Sequence, residues 1–204
     1  MKVYIRDRPH SGIPREHPYN SGTDVLYPGR VVNYVDFKAH PEMIPTSCED
    51  FIPYERFAAV RVLYRLLEWI NGPTSSLESN DCAFWPAHEN RTPVFAGKAM
   101  ECSGRLMVFC RDLRLNLVHG RIERLREQMF SRLLAIDPTF EWGVVELHLC
   151  PQAFRELDLQ EAPELVIEWW TFGDDEEEVM RTCARALLNI ETTLHGLSKD
   201  NTQA

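Results

Sequence analysis

"WGVVELHLC" at Trp142–Cys150 and "ELVIEWWTF" at Glu164–Phe172 decide how this chain folds. Both are rich in β-branched, leucine and aromatic residues, and successive side chains of a strand point to opposite faces. In the first stretch Val145, Leu147 and Leu149 share one face, while Val144, Glu146 and His148 share the other. In the second, Leu165, Ile167 and Trp169 oppose Val166, Glu168, Trp170 and Phe172. The aliphatic sets suit the underside of a helical layer. That leaves a second face carrying Glu146, His148, Glu168, Trp170 and Phe172, a mixture of acids, imidazole and aromatics that marks ligand or partner sites when it meets solvent.

Helical stripes flank these strands. From Ile52 to Ile70, Phe57, Val60, Leu63, Leu67 and Ile70 recur at helical spacing, with Asp50 placed to cap the helix and Pro53 suited to its first turn. Asn71-Gly72-Pro73 stops it. His119–Ile136 carries Ile122, Leu125, Met129, Leu133 and Ile136 on one side, and its mixed-sign opposite side reads as a solvated face. A third helix is expected from Asp174 or Asp175 to Leu194, on Val179, Cys183, Leu187, Ile190 and Leu194, with Gly196 as its stop. Its acidic start, "GDDEEE" at Gly173–Glu178, complements the positive end of the helix dipole.

Further strands are expected at "VVNYVDF" (Val31–Phe37), at "CAFW", and at "PVFAGKAMEC" (Pro93–Cys102). A turn at Ser103-Gly104 would lead into another at Arg105–Leu115. The order is β-α-β-β-β-α-β-β-α. Adjacent strands without an intervening helix favour antiparallel pairing, so an α+β two-layer sandwich is expected, with a mostly antiparallel sheet and about three helices on one face. The Pro- and Arg-rich residues 1–30 read as an extended arm that could fold over the second face through Tyr4, Tyr19 and Tyr27. Residues 31–197 read as one domain and 198–204 as a flexible tail.

With 204 residues, 44% of them hydrophobic, the chain is long enough to bury a proper core. The formal charge of −9 argues against a phosphate-gripping, nucleic-acid-binding protein. The start, "MKVYIRDRPHSG", has no apolar signal-peptide region, and no stretch approaches the ~20 apolar residues of a membrane span. A cytoplasmic protein without a membrane partner is expected. Six cysteines occur without a CxxC pair, which argues against a zinc ribbon and suits reduced thiols packed as small hydrophobes.

"SSLESNDCAFWPAHENR" (Ser75–Arg91) reads as a long polar loop, offering Glu78, Asp81 and His88 as binding residues. Cys82 and His88 have the residue types of a thiolate–imidazole pair, and with Glu89 those of a metal site. Glu146 and His148, two apart on one strand face, could supply further ligands, and Glu146 with Glu168 could do acid–base work. In "CRDLRLN", Arg111, Asp112 and Arg114 form either an anion grip or an ion-pair ladder. No glycine-rich phosphate loop, GxSxG or HExxH motif is present. The expected function is therefore a non-catalytic binding protein that holds a basic protein partner on an acidic and aromatic surface, as an immunity-type inhibitor does, with no cofactor. The alternative is a small hydrolase or metal-dependent enzyme using Glu146, His148 and Glu168, or Cys82 and His88. Assembly into a homo-oligomer is left open.

Overall fold

A computed structural model describes residues 1–7, 15–18, 22–23, 31–32, 35–46, 53–91 and 97–201. Strands β1 (Lys2–Ile5), β2 (Arg15–His17), β3 (Gly22–Thr23) and β4 (Val31–Val32) precede α1 (Ala58–Asn71). Then follow β5 (Leu77–Glu89), β6 (Met100–Cys110), the short α2 (Leu113–Asn116), α3 (Arg121–Ile136), β7 (Gly143–Phe154), β8 (Gln160–Gly173) and α4 (Glu176–Asn201). The main sheet runs β1-β7-β8-β6-β5, with β2 also paired to β7. The pairs among β5 to β8 are antiparallel, whereas β1 and β2 lie parallel to β7. This is the expected α+β two-layer fold.

The helices cover one face of the sheet. Val145 and Leu147 of β7, Leu165, Ile167 and Trp169 of β8, and Leu106 and Val108 of β6 are buried in one cluster. The same cluster takes in Val60, Leu63 and Leu67 of α1, Ile122 and Met129 of α3, and Cys183, Leu187 and Ile190 of α4. Fully burying each such side chain is worth about 1.5–3 kcal/mol, so this interface dominates stability. Helix α4 packs on β8 between α1 and α3. Two ion pairs pin it at its flanks: Arg65 to Glu191 on the α1 side, with Nε–Oε1 at 2.7 Å, and Arg185 to Asp137 at the end of α3, with Nη2–Oδ1 at 2.7 Å.

Several elements depart from the sequence reading. Lys2–Ile5, placed in an extended arm, form a strand of the main sheet, because parallel pairing to Val144–Leu147 satisfies their backbone amides and carbonyls while Val3 enters the core. Of Val31–Phe37 only Val31–Val32 are strand, in a separate two-stranded sheet with Gly22–Thr23; residues 33–34 lie outside the described residues. Phe37 instead enters a turn held by Asp36, whose carboxylate accepts from the backbone amides of Lys38 and Ala39. Helix α1 starts at Ala58, not Ile52, with Pro53-Tyr54 in a tighter turn before it; Asp50 lies outside the described residues.

The stretch Ser75–Arg91 is not a loop. Most of it is β5, thirteen residues long, with bulges between Ser79 and Asp81 and between Trp85 and His88. Nor does the chain turn at Ser103-Gly104: β6 runs straight through, and Gly104 lies beneath the Trp169 ring. Helix α4 likewise passes Gly196 and ends at Asn201, with Ser198 buried and its hydroxyl accepting from the backbone amide of Ser76. Residues 198–201 therefore belong to a docked helix; 202–204 lie outside the described residues.

Cys102, Cys110 and Cys183 are buried in the core with free thiols, and burial raises the pKa of the Cys110 thiol. No helix among the described residues is long and apolar enough to cross a membrane.

Candidate functional site

The sheet's second face is built by register. Cross-strand partners share a face. One row therefore reads Tyr4, Glu146, Glu168, Arg105 and Ala83 across β1, β7, β8, β6 and β5. The neighbouring row reads Lys2, Val144, Trp170, Ser103 and Trp85. Beyond it Phe172, Glu101 and His88 align.

The first row is an ion-pair chain. Arg6, just past β1, donates from Nε to Glu146 Oε1 at 3.0 Å. Arg105 donates from Nη2 to Asp81 Oδ2 at 2.7 Å. Between them Glu168 lies beside both Glu146 and Arg105, and His148 Nδ1 is 3.9 Å from Glu168 Oε2. Two carboxylates directly opposite one another repel, and the flanking guanidiniums offset that repulsion.

The second row presents aromatic surface. Trp85 is 50% exposed, Trp170 is half-buried, and the small, buried Ser103 separates them on the intervening strand. Trp142, which precedes β7, is 39% exposed, and the Lys98 ammonium lies 4.7 Å over its ring. Beside Trp142 opens a cleft of about 320 Å³, lined also by Thr139, Glu178, Arg181, Thr182 and Arg185. Lys98 is itself held by Asp174 at 2.7 Å, which raises its pKa.

The expected site residues separate into accessible and buried groups. Glu168 and Trp170 lie on the face opposite the helices and are half-buried. Glu146 and His148 are buried, and Phe172 is 1% exposed, packed with Val144 and Trp170. The second face is thus open only along part of its length. Asp81 joins the ion-pair chain, but Glu78 does not: it is buried and takes both contacts, at 3.1 Å, from Lys38 Nζ. His88 is exposed, its Nδ1 donating to the Pro86 carbonyl at 2.7 Å and its Nε2 3.6 Å from Glu101.

Cys82 and His88 are not brought together. Cys82 pairs with Leu106 and packs against the helix-covered core, whereas His88 pairs with Glu101 on the second face. At ~3.3 Å per residue they also lie far apart along β5. Among the described residues no three His, Cys, Asp or Glu side chains gather as metal ligands. Arg111 is no anion grip either. Its guanidinium donates to the carbonyls of Ile70, Gly72 and Ser75 at 3.0, 2.8 and 2.9 Å, closing the C-terminal end of α1. Asp112 caps α2 by accepting from the Arg114 amide.

Trp85, Arg105 and Arg6 were not singled out by sequence. The bulge between Ser79 and Asp81 shifts the alternation of β5 and so places Trp85 on this face. Comparisons with protein-family profiles, curated proteins and solved structures find no match.

Proposed function

We propose that this is a non-catalytic binding protein that holds a basic protein partner on the open part of the second sheet face, in the manner of an immunity-type inhibitor. The observation that carries this reading is the pair of tryptophans, Trp85 and Trp170, flanking Ser103 beside the half-buried Glu168. Tryptophan is enriched among the energetic anchors of protein interfaces. Acids around them favour partners presenting Lys or Arg, and a net charge of −9 speeds encounter with such partners.

Capture by immobilised protein from a lysate of its own source, at low and moderate salt, tests this. A single partner retained by the wild type and lost together by Trp85→Ala, Trp170→Ala and Glu168→Lys supports the reading, provided the variants keep their circular dichroism. Equal capture by all four proteins sinks it.

An enzyme using Glu146, His148 and Glu168 is the second reading, favoured by the registry of the two carboxylates and the nearness of His148. It is weaker because Glu146 and His148 are buried and Arg6 occupies the Glu146 carboxylate. Turnover of any ester, glycoside or peptide substrate that Glu168→Gln abolishes would favour it.

A further inference from the structure

A second polar cluster lies at the other end of the same face, around β2. His17 is only 4% exposed. Its ring centroid is 4.6 Å from that of Phe109 on β6 and 5.9 Å from that of Phe154 on β7, edge to face in both cases. Its Nδ1 lies 2.9 Å from Asn80 Oδ1. The Asn80 amide nitrogen donates to Gln152 Oε1 and to Glu164 Oε2, each at 3.0 Å, so its oxygen accepts and His17 Nδ1 carries the proton. Gln152 and Glu164 are wholly buried. This network ties β2 to β5, β7 and β8 through side chains, while among the described residues the three-residue β2 has backbone pairing only to β7.

We infer that His17 is a pH-sensitive latch: the neutral imidazole seats β2 against the sheet, and taking up a second ring proton releases it. The charged groups that bear on His17 do not act alike. Glu78 of β5 and Glu156 beyond β7 favour the imidazolium, Lys38 opposes it, and Glu164 of β8 reaches it only through Asn80. Burial among apolar rings outweighs these and lowers the His17 pKa. The sign follows. Docking is at full strength above the ordinary histidine value of about 6.5 and weakens as pH falls from there to the lowered value, by up to about tenfold per pH unit. The latch is independent of the partner-binding reading.

Amide exchange of the whole chain at about pH 7.5 and about pH 5, corrected for the intrinsic rate, tests it. The amides by which β2 pairs with β7 should lose protection at the lower pH, with α4 unchanged. In His17→Phe, which keeps a ring in the aromatic box, that acid loss should vanish. An equal acid response in His17→Phe, or none in the wild type, overturns the latch. If His17→Phe does not fold, NMR titration of the wild-type His17 ring decides: titration at or above about 6.5 overturns it.

Discussion

A β-carbon at Gly104 would lie 2.1 Å from Cζ2 of Trp169, its cross-strand partner, and 2.8 Å from the Ala83 carbonyl oxygen. The indole abuts the glycine on the helix-covered face, and Trp169 is wholly buried there. The largest side chain of the core is thus accommodated by the smallest residue of the neighbouring strand.

Gly104→Ala should accordingly destabilise the protein by about 1–3 kcal/mol, the range for overpacking a tight interior. Urea unfolding would measure it. A change below about 0.5 kcal/mol would mean that Trp169 has room to move.

On the open face, Trp85→Ala should weaken partner binding at least thirtyfold, roughly the 2 kcal/mol of an anchoring tryptophan. Its melting temperature should hardly change, because half of the residue already meets solvent. Calorimetric titration against the captured partner checks both.

Arg111→Met should loosen the end of α1. Removing a guanidinium that serves four carbonyls should cost about 2 kcal/mol and raise amide exchange near Gly72 and Leu77. An unaltered exchange pattern would show that water replaces the guanidinium without loss.

The Asp137 carboxyl, held by the Arg185 guanidinium, is lowered to about 2. Its contribution to stability is present above its ordinary value near 4 and is lost as pH falls toward 2. Asp137→Asn should therefore flatten stability over that interval and cost under about 1 kcal/mol at neutral pH, since Arg185 is largely solvent-exposed. Thermal unfolding of both proteins between pH 2 and 6 would reveal the difference.

The sequence made some of this fold legible and hid the rest for physical reasons. Alternation in Val144–Leu149 and Leu165–Phe172 named both faces of β7 and β8 correctly, because neither run is interrupted by a bulge. Helical stripes located α1, α3 and α4, since burial on one side leaves a 3.6-residue signature. Strand β5 was legible only at Cys82–Trp85, because its two bulges break the alternation on either side. Gly104 and Gly196 resembled punctuation because what constrains them, Trp169 and Arg132, lies 65 and 64 positions away in sequence. Lys2–Ile5 are too few to announce a strand. At the candidate site Glu168 and Trp170 were legible from alternation alone, whereas the Arg105–Asp81 pair and the position of Trp85 depend on register.

The parallel pairing of β1 with β7 also bears on biosynthesis. Lys2 pairs with Val144, 142 positions later (144 − 2). At ~5–20 residues per second of translation, β1 waits roughly 7–30 s for its neighbour to be made. Throughout that interval Val3, destined for the core, has no sheet to join. The nascent chain must keep this segment soluble, and the charges at Lys2, Arg6 and Asp7 beside it are suited to that task.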